Sequence, residues 1–317
     1  MNTPGKRTPT LTDRRIIGRG VRRPECVQCL PDGRALCSDV RGGICAVTPD
    51  DTLEYLGGSE VPGLVSNGFG ILSDGTAVFA NVGSKGGIWS MDPDGAFTPL
   101  VEYVEGTPNF VLIRPGDEIW FSVLTAAGHT APLSETRNDG YIARIKNGAV
   151  EIMAEGLITA NEFKIDDARS VLYINETFAR HTTCFDIAGD GTLSNRRIFA
   201  QYERDTFPDG LCLDANGDIW VPSIVSNRIL HVTTDGGVNV LYEEYEHERV
   251  GAIQAALTAG TLTRDLIYQD TQSVLNNPSS LAFGGPDLST LFVGSITNRY
   301  LCTFTSSVPG APMTHWT

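Results

Sequence analysis

Six positions in this 317-residue chain carry an oxygen-tipped side chain at the same point of a recurring segment: Glu25, Asn67, Asn109, Asn161, Asp209 and Ser279. Two are carboxylates, three are carboxamides and one is a hydroxyl, with no His or Cys among them. Such a set suits a hard divalent cation, calcium first, with magnesium, manganese or zinc as further candidates. Two acids drawn together would desolvate and repel each other unless protonated or bridged by a cation. A cation bridging them polarises a carbonyl, and a carboxylate beside it accepts a proton from water; that is the chemistry of hydrolysis. Polar residues satisfying strand ends in a wet channel would look the same one at a time. Six in register favour the cation.

The elements that must position them are short strands. Around Asp209 the chain reads Phe207-Pro-Asp-Gly-Leu-Cys-Leu-Asp-Ala-Asn-Gly-Asp-Ile-Trp-Val221, a strand, a tight turn at Asn216-Gly217 and a second strand. The six anchor positions are 42, 42, 52, 48 and 70 residues apart, and each copy has a second half that reads as another hairpin, as in Arg228-Ile-Leu-His-Val232 before Asp235-Gly236. Six units of four short strands at this period predict an all-β fold, a six-bladed β-propeller. A β-sandwich or two small β domains would not repeat one aligned polar residue six times. The first strand of each blade then starts at one end of the central channel, and the six anchors converge there.

Composition bounds the partners. A net charge of −14 and a pI near 4.7 argue against nucleic acid and anionic membrane surfaces, and no apolar run is long enough for a membrane helix. Seven cysteines in irregular spacing do not suggest a disulfide framework and fit a reducing cytoplasm. Cys26-Val-Gln-Cys29 has no second pair to complete a zinc site, and Cys29 aligns with Ile71, Ile113, Ile165, Leu213 and Phe283, which marks it as a core residue. Residues 1–12 read as a disordered tail and residues 13–317 as a single propeller domain. The arginines between Arg14 and Arg23 read as a solvated edge around Ile16-Ile17, a strand placed to complete the last blade.

Long connections fall on the channel-mouth face, where a rigid scaffold gathers its binding loops. They are Thr125–Asp139, Asn175–Thr182 and an insertion between blades five and six, Glu243–Asn277. Within it, residues 246–257 place Val250, Ile253, Ala256 and Leu257 at helical spacing, and residues 263–270 suggest a second short helix. The insertion reads equally as a lid over the channel or as a surface-packing or dimerisation helix pair. His129 and His181 sit in these loops, and His181, flanked by Arg180 and near Glu176, is the histidine expected to touch substrate. No Gly-x-Ser-x-Gly elbow competes.

Pro24-Glu25, Pro108-Asn109, Asn161 with Leu172-Tyr173 after it, and Pro208-Asp-Gly-Leu211 with Gly217-Asp-Ile-Trp-Val221 together resemble the senescence-marker-protein / gluconolactonase / luciferin-regenerating-enzyme family of six-bladed propellers. The resemblance covers roughly residues 20 to 305. It implies a single divalent cation held by Glu25, Asn161 and Asp209, with Asn109 as ligand or substrate contact, and hydrolysis of an ester-like bond, most typically a lactone. Asn67 and Ser279 join the substrate-binding set from register. The departures are Cys26 and Glu162 where relatives often have Gly, Phe110 where they often have Asp, and Thr107 where sugar-lactonase relatives tend to have Arg. Phe110 and Glu162 are therefore expected at the substrate, which is expected to be a less polar cyclic ester than a sugar lactone. A phosphotriester or activated ester in the same cradle, or a non-catalytic ligand-binding propeller, are the competing expectations. Within the predicted mechanism Asp209 is the general base, Glu25 mainly a ligand, and water the nucleophile.

Overall fold

The computed structural model describes residues 8–57 and 60–316. Six antiparallel sheets succeed one another along the chain, and the innermost strands of neighbouring sheets touch around one axis, giving the expected six-bladed propeller. The innermost strands are Val27–Cys29, Ser66–Ile71, Pro108–Arg114, Ala160–Asp166, the broken pair Phe207–Pro208 and Cys212–Leu213, and Pro278–Gly284. In blades one to five, successive strands pair in chain order. Blade six takes its outermost strand from the other end of the chain: Leu11–Ile17 pairs with Leu301–Ser306, Ile16 opposite Cys302 and Ile17 opposite Leu301. This closure was expected around Ile16-Ile17, but the strand begins at Leu11, inside the stretch read as tail; residues 1–7 of that tail lie outside the described residues.

The turns away from the mouth carry the residues their backbone demands. Asn147 and Gly148, with φ of 53° and 75°, make the two-residue reversal in which both central positions are left-handed. Between blades, one face of each sheet packs on the next. Phe110 and Phe163 meet edge to face with ring centroids 5.6 Å apart, both fully buried, in a cluster that also holds Phe69, Phe79 and Trp120. Trp220 meets Phe283 at 5.1 Å between blades five and six. All seven cysteines are free and buried, Cys29 among them.

The insertion forms two helices, α1 (His247–Thr258) and α2 (Arg264–Ile267). Val250, Ile253 and Leu257 of α1 are buried against Leu133, Phe178, Phe207, Ile224 and Ile296, residues of the channel-mouth loops and strand ends. Leu133 N–H donates to the Leu262 carbonyl at 3.0 Å, tying the blade-three loop to the insertion. The insertion is thus a cover over the mouth. At the other end, His315 and Trp316 both donate to the Cys29 carbonyl, at 2.7 and 2.6 Å. There Ala311–Met313 roof a cavity floored by Ile71, Ile113, Ile165, Leu213 and Phe283. No described helix is long and apolar enough to cross a membrane.

The core packing yields a stability prediction. Phe110→Ala empties the contact with Phe163 and is expected to cost about 3–5 kcal/mol. Chemical denaturation should show this as a lower midpoint with an unchanged slope.

Candidate functional site

Each innermost strand is irregular where its anchor residue sits. The pairing register shifts between Ser66 and Phe69, between Pro108 and Phe110, between Ala160 and Phe163, and between Pro278 and Ser280. In blade five the strand is interrupted outright across Asp209, Gly210 and Leu211. In blade one the strand starts just after Glu25 and Cys26. A bulge puts two residues opposite one and re-aims a side chain. Here it presents the anchors to the axis. Gly68 and Gly210 allow neighbouring backbones to meet there: a Cβ on Gly68 would lie 2.6 Å from Phe110 Cα, and one on Gly210 would lie 2.5 Å from the Ser279 carbonyl.

The anchors and their neighbours form a closed belt of hydrogen bonds that crosses every blade boundary. Asn67 Nδ2 donates to Glu25 Oε1 at 2.9 Å and to the Asn109 carbonyl at 2.8 Å. Asn109 Nδ2 donates to Asn161 Oδ1 at 2.7 Å. Asn175 Nδ2 carries the belt from blade four to the Asp209 and Gly210 carbonyls, at 3.1 and 2.8 Å. Gly210 N–H donates to the Ser279 carbonyl at 2.7 Å, and the Ser279 hydroxyl closes the ring onto the Glu25 carbonyl at 2.7 Å. Outside the belt, Arg23 Nη2 donates to Asn67 Oδ1 at 2.8 Å, and Asn161 Nδ2 donates to Thr177 Oγ1 at 3.0 Å.

The belt floors a pocket on the channel axis. Glu25, Asn67, Asn109, Asn161 and Asp209 line it, each at most 7 % exposed. Its walls are largely apolar, among them Val82, Leu124, Leu133, Phe178, Ile224 and Ile296, and its cover brings Ile267 and Tyr268. Glu25 Oε2 and Asp209 Oδ1 are buried in the floor without a hydrogen-bond partner. Burial pushes the Glu25 carboxyl up to about 7, against the pull of Arg23. Burial pushes Asp209 well above the usual range too, with Glu25 and Glu162 adding to it and Asn161 and Arg23 opposing. Two orphaned acid oxygens, with an Asn109 oxygen that keeps a lone pair beyond the bond it accepts from Asn67, are a donor set that fits a hard divalent cation; the Asn161 oxygen, which accepts from both Asn109 Nδ2 and the Glu162 N–H, would join them by exchanging one of those bonds for the ion. Glu25, Asn109, Asn161 and Asp209 would hold it.

Four sequence-predicted substrate residues stand elsewhere. Phe110 follows its bulge into the core. Glu162 packs beside Gly210 with Lys164 near, and burial, with Glu25 adding, pushes it up to about 8; Lys164 lines the cavity at the opposite end. The Ser279 hydroxyl is spent on the Glu25 carbonyl. His181 is held by the buried Glu176 at 3.0 Å, which also takes bonds from Thr183 and the exposed Arg196, so its ring serves blade four. Of the two loop histidines it is His129 that lines the pocket. Sequence reasoning missed Arg23, which adopts φ 60° immediately before Pro24, and Arg264 and Tyr268, which arrive from the insertion. Thr107, at the position of the missing arginine, lines the pocket with an unpartnered hydroxyl. A second buried cluster, His231 Nε2 at 3.3 Å from Asp218 and 3.8 Å from Asp214, belongs to the turn end of blade five and lies outside this pocket.

A model of the SMP-30/gluconolactonase/LRE-like region matches residues 24–246. Regucalcin from Xenopus laevis is 24% identical over 131 residues, covering 41% of this chain, and the chain spans 34% of that relative's length. A gluconolactonase from Xanthomonas campestris has a TM-score of 0.67 at 20% identity, over 96% of each chain. A calcium-binding protein, regucalcin from Agrobacterium tumefaciens, has a TM-score of 0.69 at 14% identity, over 95% of this chain and 97% of that one. These structures share the fold.

The floor predicts a pH dependence. An acid whose pKa is raised on folding binds its proton more tightly in the native state, so the cation-free protein should lose stability as pH rises from about 4.5, Glu25 contributing its share through about 7 and Glu162 through about 8. Glu25→Gln should flatten that decline and also lose the stabilisation conferred by calcium. Thermal unfolding across pH, with and without the ion, checks both; a calcium response of Glu25→Gln equal to that of the parent would remove Glu25 from the ligand set.

Proposed function

The chain belongs to the SMP-30/gluconolactonase/LRE-like family, and from that premise we propose that it is a hydrolase that opens a lactone, with water as nucleophile and a divalent cation, calcium first, in the cradle of Glu25, Asn109, Asn161 and Asp209. The observation that carries this reading is the pair of partnerless acid oxygens, Glu25 Oε2 and Asp209 Oδ1, in the floor of a covered pocket. When bound, the cation supplies polarisation of the ester carbonyl and stabilisation of the negative charge that develops on its oxygen.

The chain's own groups do the rest. Asp209 takes the proton from the attacking water through the carboxylate oxygen not committed to the cation. Arg23 favours the ionised form of both acids. Glu25 is fixed by Asn67 and serves as ligand. Asn109 and Asn161 contribute neutral oxygens, so the site's positive charge is not cancelled. Val82, Leu124, Leu133, Phe178 and the insertion exclude bulk water from the ester, strengthening each electrostatic contact. The apolar wall, with Thr107 in place of an arginine, supports a substrate whose ring is less polar than a sugar.

Gluconolactonase and regucalcin name chemistry and ion for the relatives, and the experiment tests both here. A panel of lactones followed by proton release, with a phosphotriester included, should give turnover that EDTA abolishes and calcium restores. Asp209→Asn should lower kcat by about 10²–10⁴-fold. Full activity of that variant would remove Asp209 as the base, and turnover of the phosphotriester alone would replace the lactone.

A further inference from the structure

Above the acid floor the pocket carries the opposite charge. Arg23 and Arg264 both line it, and each has a buried guanidinium nitrogen without a partner, Nη1 of Arg23 and Nη2 of Arg264. Arg23 is anchored to Asn67 Oδ1 through Nη2. Arg264, the first residue of α2, is anchored by Nη1 to the carbonyl of His129. Burial lowers the affinity of Arg264 for its proton, and Tyr268 opposes that only in part. Burial, then the charges of Arg264 and Arg23, push His129 down to about 4, so its imidazole is neutral between the two guanidiniums. Buried guanidinium donors are costly to leave unmet. Both are fixed by one nitrogen with the other free, on the walls and cover of a cavity that a small molecule must enter.

Charge balance points the same way. A dication in the floor would offset Glu25 and Asp209 and leave the two guanidiniums unbalanced. Glu162 has Lys164 near it. A planar guanidinium pairs best with a carboxylate, through two parallel N–H···O bonds.

We propose that Arg264 and Arg23 form an anion subsite that takes the carboxylate of the substrate, making the preferred substrate a lactone with an apolar ring that carries a carboxylate, opened to a hydroxy-dicarboxylate. This rests on the hydrolase reading for the reaction but not for the binding. The ester carbonyl lies at the acid floor and the carboxylate at the Arg264 side, which fixes the ring's orientation. The hydrolysis balances as water adding across the acyl C–O bond, one oxygen becoming the second carboxylate and the ring oxygen leaving as a hydroxyl.

The test compares a γ-lactone bearing a ring carboxylate with its methyl ester, in the calcium-loaded protein. The parent should prefer the acid by about 10- to 100-fold in kcat/KM. Arg264→Gln, which keeps a donor for the His129 carbonyl, should bring that ratio close to one, and Arg264→Lys should restore part of it. In parallel, calorimetry with the ring-opened hydroxy-dicarboxylate should give a Kd that Arg264→Gln weakens by a similar factor, whether or not any lactone is hydrolysed. If both lactones are opened at ratios within about threefold, the subsite is wrong and the hydrolase reading stands. If neither is opened while the dicarboxylate binds through Arg264, the subsite stands and the reaction is wrong. A ratio or Kd that Arg264→Gln leaves unchanged overturns the assignment of Arg264.

Discussion

The belt of hydrogen bonds around the axis is the constraint to which the other features answer. Six sheets pack face on face and converge along their innermost strands, and at the mouth those strands are bent out of regular pairing. Backbone groups freed by a bulge must find partners, because an unpaired buried amide or carbonyl costs about as much as a lost hydrogen bond. The belt supplies them across the blade boundaries: the Glu25 carbonyl by Ser279, the Ser279 carbonyl by Gly210, the Asp209 carbonyl by Asn175, the Asn109 carbonyl by Asn67. The same bonds fix the side chains that make the floor. Ring closure at one boundary and aim of a functional group at the next are one structural event.

That arrangement concentrates two acids where water is scarce. Asn67 satisfies Glu25 through one oxygen only, and Asp209 Oδ1 has no partner at all. A fold selected for stability alone would replace such groups with apolar residues of similar volume. Arg23 offsets part of the repulsion. Local strain accompanies it: Arg23, Thr159 and Val225, at or next to the pocket wall, adopt φ of 60°, 56° and 68°, which is rare for any non-glycine residue and rarer for β-branched ones. Unmatched charge in the floor, with strain at these three wall positions, supports the proposed function at this end.

Much of this was legible in the chain. The anchors are legible because they repeat in register, the turns because Asn-Gly and Asp-Gly dictate left-handed backbone, and α1 because Val250, Ile253 and Leu257 fall on one face. The bulges were not, since alternation of apolar and polar residues resumes unchanged on either side of them. That is why Phe110 and Ser279, each adjacent to or at an anchor, were placed at the substrate when one turns into the core and the other bonds backbone. His181 was misplaced for a different reason: a strand pairing across Glu176 and His181 brings that acid to it, and no local pattern announces such a partner. Arg23 read as one arginine among several on a solvated edge. Its direction depends on a left-handed turn before Pro24 that the sequence does not demand.

Arg264 is the residue least accessible to sequence reasoning, and it explains why the insertion sits where it does. α1 contributes a buried apolar face but no group to the floor; its packing on Leu133, Phe178 and Ile224 serves to hold the following segment over the mouth. That segment delivers Arg264 and Tyr268 to a pocket whose floor comes from five blades. A binding site with acids below and guanidiniums above is polar along one direction. A ligand with a carbonyl at one end and an anion at the other is then oriented by the field before any close contact forms. The propeller supplies the acids and, through Arg23, part of the opposing charge. The insertion, anchored to the blade-three loop through Leu262 and Arg264, adds Arg264, so under the proposed reading the ligand is oriented by cover and ring together while the reaction is left to the ring.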